Sequence, residues 1–189
     1  AGAVDFLLRP FTADQFDAAF SKMARLAPGG EVLGGEGRAK VICVMPAKGA
    51  CGATTLACNL AYQFKRQGAE RVLLADLDPM AGTMSFLLKL KSSFSFLDVL
   101  QRGHELDEDL WRATVATSGG IDVLLAPEMA ASTLPDDLDA TPILNFARNA
   151  YDIVVVDTGS VYGEWNLSQA RAATELLLVT TNELPALHA

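Results

Sequence analysis

A short segment of small and hydroxyl residues follows the first strongly apolar run of the chain. Residues 41–45 are apolar and largely β-branched, and residues 47–55 then have the sequence AKGACGATT before a helix-favouring stretch begins. In a strand–loop–helix unit of this kind, backbone N–H groups and the helix N-terminus surround a phosphate group. The order therefore predicts a phosphate site, although a glycine-containing turn of any α/β protein would share these features.

The loop lacks the lysine that most phosphate-binding loops place before their hydroxyl residue. Compared with the pattern G-x-x-x-x-G-K-[ST], Ala47 stands at the first glycine and Ala53 at the lysine. A lysine does occur in this segment, but at Lys48, in its first half. A lost lysine–phosphate contact of roughly 1.5–3 kcal/mol weakens binding about ten- to a hundredfold.

Carboxylates end two further apolar runs that have the composition of buried strands. RVLLADLDP contains Asp76 and Asp78, and YDIVVVDTG contains Asp157. Ligands of parallel sheets bind at the carboxyl ends of the strands, so we expect these groups near the loop. Asp157 is then a candidate to hold magnesium through a water, with the Thr54 hydroxyl as a direct ligand. The alternative is that the aspartates merely cap strand–helix turns.

The loop sequence KGACGAT resembles K-G-G-x-G-K-[ST] of the deviant Walker A ATPases, the MinD/ParA-like group, except at Ala50 and Ala53. The resemblance implies that Lys48 reaches across a dimer interface to the partner's nucleotide. It also implies that Asp78, the second aspartate of D-x-D-P, orients the attacking water, whereas Asp76 packs near the magnesium or the loop.

The same resemblance implies ATP and Mg²⁺ as cofactors. The expected nucleotide-binding residues are those of the loop: Lys48, Gly49, Ala50, Cys51, Gly52, Ala53, Thr54 and Thr55. Alanine before the hydroxyl pair resembles the CpaE/TadZ pilus-assembly branch, with its variant K-G-G-x-G-[AS]-[ST]-T. These features predict a P-loop NTPase fold over residues 40–189.

The N-terminal segment has a different character. GAVDFLLRPF resembles the end of a response-regulator receiver domain, G-A-x-D-F-L-x-K-P-F, with Thr12 as the N-cap of a following helix. We therefore expect residues 1–27 to be the tail of a receiver-like domain and the glycine-rich residues 28–39 to be a linker. An unrelated βα unit remains the alternative. By resemblance, the receiver would begin upstream and the NTPase domain would continue beyond Ala189.

Composition narrows the classes of partner. The formal net charge is −8 and the sequence pI is about 4.7, which argues against a non-specific nucleic-acid or anionic-membrane surface. Three cysteines without a C-x-x-C pair are typical of free thiols in a reducing cytosol. The sequence has no apolar run of membrane-spanning length and no recognisable signal peptide. We expect a cytoplasmic protein, with any membrane association indirect.

Helical and strand-like segments alternate, including predicted helices over residues 54–67 and 167–174. This order predicts an α/β fold with a mostly parallel sheet and helices on both faces, a three-layer αβα arrangement. The resemblance implies an ATP-binding, dimerising scaffold or localisation factor for type IV (Flp/tad) pilus assembly or secretion, placed at the cell pole, with weak or absent hydrolysis. The alternative is an active ParA/MinD-type ATPase in partitioning or positioning. The sequence leaves open whether the protein is an enzyme.

Overall fold

A computed structural model describes residues 39–102, 106–128 and 138–183, together with Thr12, Asp14, Gln15 and Ala18. Its strands are β1 Lys40–Pro46, β2 Val72–Asp76, β3 Ala116–Ser118, β4 Ile121–Leu124, β5 Ile153–Asp157 and β6 Glu175–Val179. Its helices are α1 Ala53–Arg66, α2 Met84–Leu88, α3 Phe96–Gln101, α4 Glu108–Thr114, α5 Thr141–Ala150 and α6 Glu164–Ala172.

The strands form one sheet in the order β3-β4-β2-β5-β1-β6. Neighbours pair in parallel except at one edge, where β3 and β4 are antiparallel. In this register Asp157 of β5 lies between Val44 of β1 and Asp76 of β2. The predicted mostly parallel sheet is confirmed, and the ends of its three central strands meet at one edge.

Apolar side chains pack on both faces of the sheet. On one face α1 covers a cluster that includes Ile42, Val44 and Val155. On the other face α3 to α6 cover a second cluster that includes Val41, Val154 and Val156. The three-layer αβα arrangement is therefore confirmed, because alternate residues of the same strands enter opposite cores.

Two elements differ from the sequence-based expectation. The antiparallel β3 was not expected, and it forms a hairpin with β4 through Gly119 and Gly120, which have φ values of 56° and 83°. Such positive φ angles suit the tight turns of hairpins. Helix α6 begins at Glu164, three residues before the predicted start, so Trp165 and Asn166 lie in its first turn.

At the N-terminal end, the Thr12 N–H donates to Gln15 Oε1 and the Gln15 N–H donates to Thr12 Oγ1, at 3.0 and 3.2 Å. These reciprocal bonds are a capping box, and they confirm the N-cap predicted at Thr12. The rest of the receiver-like segment and linker residues 28–38 lie outside the described residues. The assignment of residues 1–27 to a receiver domain stays a prediction.

Candidate functional site

The loop between β1 and α1 contains two residues in the left-handed region. Ala50 has a φ of 62°, and Gly52, which precedes α1, has a φ of 90°. Left-handed residues within a turn are a feature of the backbone concavities that bind anions. Gly49 and Ala50 are exposed, so the first half of the loop is open to solvent.

The loop is bonded to the end of β6 at two positions. The Cys51 thiol donates to the carbonyl of Val179 at 3.2 Å, and the Ala47 N–H donates to the same oxygen at 2.7 Å. Ala53, at the position of the absent lysine, is 5% exposed and belongs to the apolar cluster under α1. The methyl group of Ala53 therefore completes a packed core.

Thr54 and Asp157, the two predicted magnesium ligands, lie close together, and hydrogen bonding from the Thr54 side chain lowers the pKa of Asp157. Asp157 is 2% exposed, and its Oδ1 has no hydrogen-bond partner among the described residues. Burial raises the pKa of Asp157 to about 8, the negative charges of Asp76 and Asp78 raise it further, and the Thr54 bond opposes them. A divalent cation nearby would supply the missing counter-charge, so this pair fits Mg²⁺.

Asp76 has a structural task at the same edge. Its Oδ1 accepts the N–H of Asp78 at 3.3 Å and its Oδ2 accepts the N–H of Met84 at 3.1 Å. Burial raises the pKa of Asp76 to about 6 despite these bonds. Asp76 therefore holds the turn between β2 and α2, beside Asp157 in the sheet register.

Asp78 lies just beyond β2 and caps the same turn. Its Oδ1 accepts the N–H groups of Met80 and Ala81 at 2.9 and 3.0 Å. A Cβ atom built on Gly159 would lie 3.0 Å from the Asp78 carboxyl carbon, so Asp78 lies against the segment that follows Asp157. The two predicted aspartates thus meet at one edge, and the catalytic role of Asp78 stays a prediction.

Lys48 is bonded within its own chain. Its Nζ lies 2.8 Å from Oε2 of Glu183, which follows β6, and both side chains are partly exposed. The Lys48 ammonium holds the pKa of Glu183 below its usual range. Thr55, the last predicted binding residue, is exposed, and its carbonyl accepts the amide of Asn59 at 2.7 Å.

Three residues that the sequence did not single out for the site support its loops. The Trp165 indole donates to the Leu77 carbonyl at 2.9 Å, the Asn166 amide donates to the Gly159 carbonyl at 2.6 Å, and the Tyr162 hydroxyl donates to the Pro46 carbonyl at 2.8 Å. Two of these contacts, those of Trp165 and Tyr162, join segments distant in sequence. The Asn166 contact is local, and no sequence pattern marks it. The described residues contain no cluster of three or more His, Cys, Asp or Glu side chains able to hold a metal.

The chain belongs to the AAA domain family, whose sequence profile matches residues 39–188. It is 32% identical over 151 residues to the antiactivator FleN of Pseudomonas aeruginosa, covering 76% of this chain and 51% of FleN. It is also 32% identical over 122 residues to the ESX-1 secretion-associated protein EspI of Mycobacterium tuberculosis, covering 63% of this chain and 18% of EspI. The chain thus spans about half of the length of FleN and less than a fifth of the length of EspI.

The fold is that of the ParA/MinD P-loop NTPases. A ParA family ATPase from Chlorobium tepidum superposes with a TM-score of 0.71 at 22% identity, covering 80% of this chain and 64% of that one. The cell division ATPase MinD of Pyrococcus furiosus superposes with a TM-score of 0.63 at 21% identity, covering 77% of this chain and 60% of that one. Among the described residues, no helix has the length and apolar character required to cross a bilayer.

Proposed function

We propose that the loop of residues 48–55 binds the phosphates of ATP and that Thr54 and Asp157 hold the accompanying Mg²⁺, Asp157 through a water. The observation that carries this proposal is the Thr54–Asp157 contact, with a buried carboxylate oxygen left unpartnered among the described residues. Magnesium prefers oxygen ligands and is commonly shared between the protein and substrate phosphates. The bound ion would neutralise phosphate charge, while the loop amides would orient the phosphates. The structure of the septum site-determining protein MinD from Pyrococcus horikoshii, complexed with Mg-ADP, supports this choice of ligand.

The protein acts as a nucleotide-dependent homodimer with weak or absent hydrolysis. Ala53 supplies no charge to the phosphates, and Lys48 has an exposed, replaceable partner in Glu183. Apolar side chains in the segments after Asp78 and after Asp157 are exposed, with Met80 at 49% and Val161 at 71%. A second copy of the chain would bury this apolar surface while Lys48 exchanges Glu183 for the partner's nucleotide.

The cellular role that fits this scaffold is a localisation factor for type IV (Flp/tad) pilus assembly or secretion, at the cell pole. The loop resemblance to the CpaE/TadZ branch supports it, as does the description of EspI as secretion-associated. The partners are then proteins of the pilus or secretion machinery, and membrane contact is indirect. The acidic net charge of −8 gives no support for nucleic-acid binding.

A second candidate is an active ATPase in partitioning or positioning. Its support is that Asp78, Thr54 and Asp157 all lie at the carboxyl edge of the sheet, as hydrolysis would require. Turnover measurements separate the two candidates. The scaffold hydrolyses ATP slowly or not at all while still binding it, whereas the active ATPase turns over at a rate that falls sharply in Asp78→Asn.

Isothermal titration calorimetry tests nucleotide binding directly. ATP with Mg²⁺ is expected to bind more tightly than ATP with excess chelator. Thr54→Val, which keeps the side-chain shape and removes the hydroxyl, should abolish that difference. The control is Thr117→Val, which removes a hydroxyl bonded to Asp122, far along the chain from the loop. Absence of binding at millimolar Mg-ATP by the folded protein would overturn the proposal.

A further inference from the structure

The first turn of α6 is bonded to two loops: the Asp78 loop, which follows β2, and the Asp157 loop, residues 158–163, which follows Asp157 at the end of β5. The Trp165 indole N–H donates to the carbonyl of Leu77, the residue before Asp78, at 2.9 Å. The Asn166 side-chain amide donates to the carbonyls of Gly159 and Val161, at 2.6 and 3.0 Å. Two consecutive side chains of one helix therefore bind the segment after β2 and the segment after β5.

Both side chains are held rigidly. Trp165 is 9% exposed and stacks on Phe96 with ring centroids 5.6 Å apart and an interplanar angle of 15°. Asn166 is 3% exposed, and the Gln169 amide donates to the Trp165 carbonyl at 3.1 Å. Buried, packed and hydrogen-bonded side chains have few alternative rotamers, so the two loops are attached to a fixed support.

The two loops also touch one another between these attachments. A Cβ atom on Gly159 would lie 3.0 Å from Oδ1 of Asp78, the oxygen that caps Met80 and Ala81. Gly159 therefore lies close to Asp78, and a displacement of Gly159 changes the packing around the carboxylate that holds this turn. Contacts therefore run without a break from Asn166 through Gly159 to Asp78. Trp165 is bonded to the same turn at Leu77, on the other side of Asp78.

We propose that Trp165 and Asn166 are positioning residues that jointly fix the spacing between the Asp78 loop and the Asp157 loop. The inference rests on the proposed function for its purpose, because this spacing sets the room left for a phosphate and a magnesium ion. The coupling itself is a property of the protein without ligand. Neither side chain lies in the phosphate loop, so both act through the groups that they hold.

Hydrogen exchange of the backbone amides, measured without nucleotide, tests the coupling. Asn166→Leu keeps the side-chain size but removes both donated bonds, and in the described part of the chain the Asn166 side chain donates to Gly159 and Val161 rather than to the turn at Met80 and Ala81. Exchange of those two amides should accelerate roughly two- to tenfold, the factor expected for about one lost hydrogen bond. Acceleration confined to residues 159–163 would overturn the coupling. Amides of Val154–Val156 in β5 serve as the reference for global unfolding.

Trp165→Phe tests the other attachment with a closely matched control. Phenylalanine keeps an aromatic ring that can stack on Phe96, but it removes the indole N–H together with the five-membered ring, so the loss of volume must be matched in the control. Trp111→Phe makes the same change at a 3% exposed tryptophan, whose N–H donates to the Tyr151 hydroxyl at 2.8 Å. Trp165→Phe should accelerate exchange at Met80 and Ala81, and Trp111→Phe should leave those amides unchanged. Equal acceleration in both variants would show a general loss of stability and overturn the inference.

Calorimetry with Mg-ATP separates failure of this inference from failure of the proposed function. If the unsubstituted protein binds, Asn166→Leu and Trp165→Phe should each weaken binding about two- to tenfold, with Trp111→Phe unchanged. Unchanged binding in both variants would overturn their positioning role. If the unsubstituted protein does not bind, the proposed function fails and the positioning role for nucleotide fails with it, whereas the exchange data still decide the coupling.

Discussion

At the scale of single residues, two alanines give the loop its particular properties. Ala53 stands at the position where most phosphate-binding loops have a lysine that pairs with phosphate. Its methyl group is buried and carries no charge. Ala50 adopts a φ of 62°, a conformation that costs a residue with a Cβ roughly 1–2 kcal/mol. Both features carry testable consequences, the first for nucleotide affinity and the second for stability.

Restoring the lysine tests whether Ala53 limits phosphate binding. Ala53→Lys should tighten Mg-ATP binding about ten- to a hundredfold through one charge-assisted contact, as measured by calorimetry. Ala53→Met is the matched control, because it adds a similar unbranched stem without a charge and should give no gain. Weaker binding in Ala53→Lys would show that the core under the loop cannot admit a lysine.

Removing the Cβ of Ala50 tests the strain in the loop. Ala50→Gly should raise the free energy of unfolding by about 0.5–1 kcal/mol, because relief of the left-handed conformation exceeds the extra entropy of an unfolded glycine. Urea denaturation measures this. Ala113→Gly, an exposed position within α4, is the control and should lower stability by up to about 1 kcal/mol. A loss of stability in Ala50→Gly would contradict the account.

At the scale of elements, the turn between β2 and α2 is tightly enclosed. A Cβ on Gly82 would lie 2.2 Å from the Cβ of Ala126 and 2.9 Å from Oδ2 of Asp76, whereas one on Gly163 would meet nothing within 4 Å. Gly82→Ala should therefore cost about 1–3 kcal/mol of stability, and Gly163→Ala should cost little. Equal unfolding midpoints in urea would contradict the packing described for this turn.

The end of β5 makes stability depend on pH in the metal-free protein. The pKa of Asp157 rises from 3.8 to about 8 on folding, so between these values the folded state binds more protons than the unfolded state. Stability should therefore fall as pH rises from about 4 to 8. Asp76, with a pKa of about 6, acts in the same direction up to that pH.

Asp157→Asn should remove the larger part of this dependence, because asparagine stays neutral. The free energy of unfolding is measured in urea with a chelator at intervals from pH 4 to pH 8. As pH rises, this free energy should increase in the variant relative to the unsubstituted protein. The titratable groups near Asp157 are Asp76, Asp78 and the thiols of Cys43 and Cys58. Burial raises the pKa of each thiol to about 12, so the thiols stay neutral over this range. Asp109→Asn, at an exposed position of α4, is the control. Parallel curves for Asp157→Asn and the unsubstituted protein would contradict the buried charge.

The sequence predicted the central elements well, for a physical reason. The apolar runs of β1, β2 and β5 are buried on both faces of the sheet, and such strands leave a continuous hydrophobic signal. By contrast, β3 has three residues, and its hairpin with β4 was marked only by Gly119-Gly120. The contact of Trp165 left no local signal, since its partner Leu77 lies on a distant segment. The contact of Asn166 with Gly159 is local, but no sequence pattern marks it. The strand–loop–helix unit and the aspartates at the edge of the sheet could be predicted from the sequence, and the contacts that support them could not.

At the scale of the whole molecule, the site lies on an exposed edge that a second copy could cover. Lys48, which is bonded to Glu183 within its own chain, would have to change partner when the copies meet. An exposed ion pair of this kind contributes little and can be exchanged at low cost. A desolvated contact with the other copy's phosphate has no substitute once removed, so Lys48 should matter more for association than for binding within one copy.

Light scattering of the protein with and without Mg-ATP tests the dimeric scaffold most directly. The unsubstituted protein should be monomeric without nucleotide and dimeric with it. Lys48→Ala should keep its affinity for ATP within a few-fold by calorimetry and remain monomeric. Glu183→Gln is the control, because it releases Lys48 without removing it and should still dimerise. A Lys48→Ala protein that dimerises normally with Mg-ATP would contradict the account. So would a Lys48→Ala monomer that no longer binds ATP, because Lys48 would then contact the nucleotide bound to its own copy of the chain.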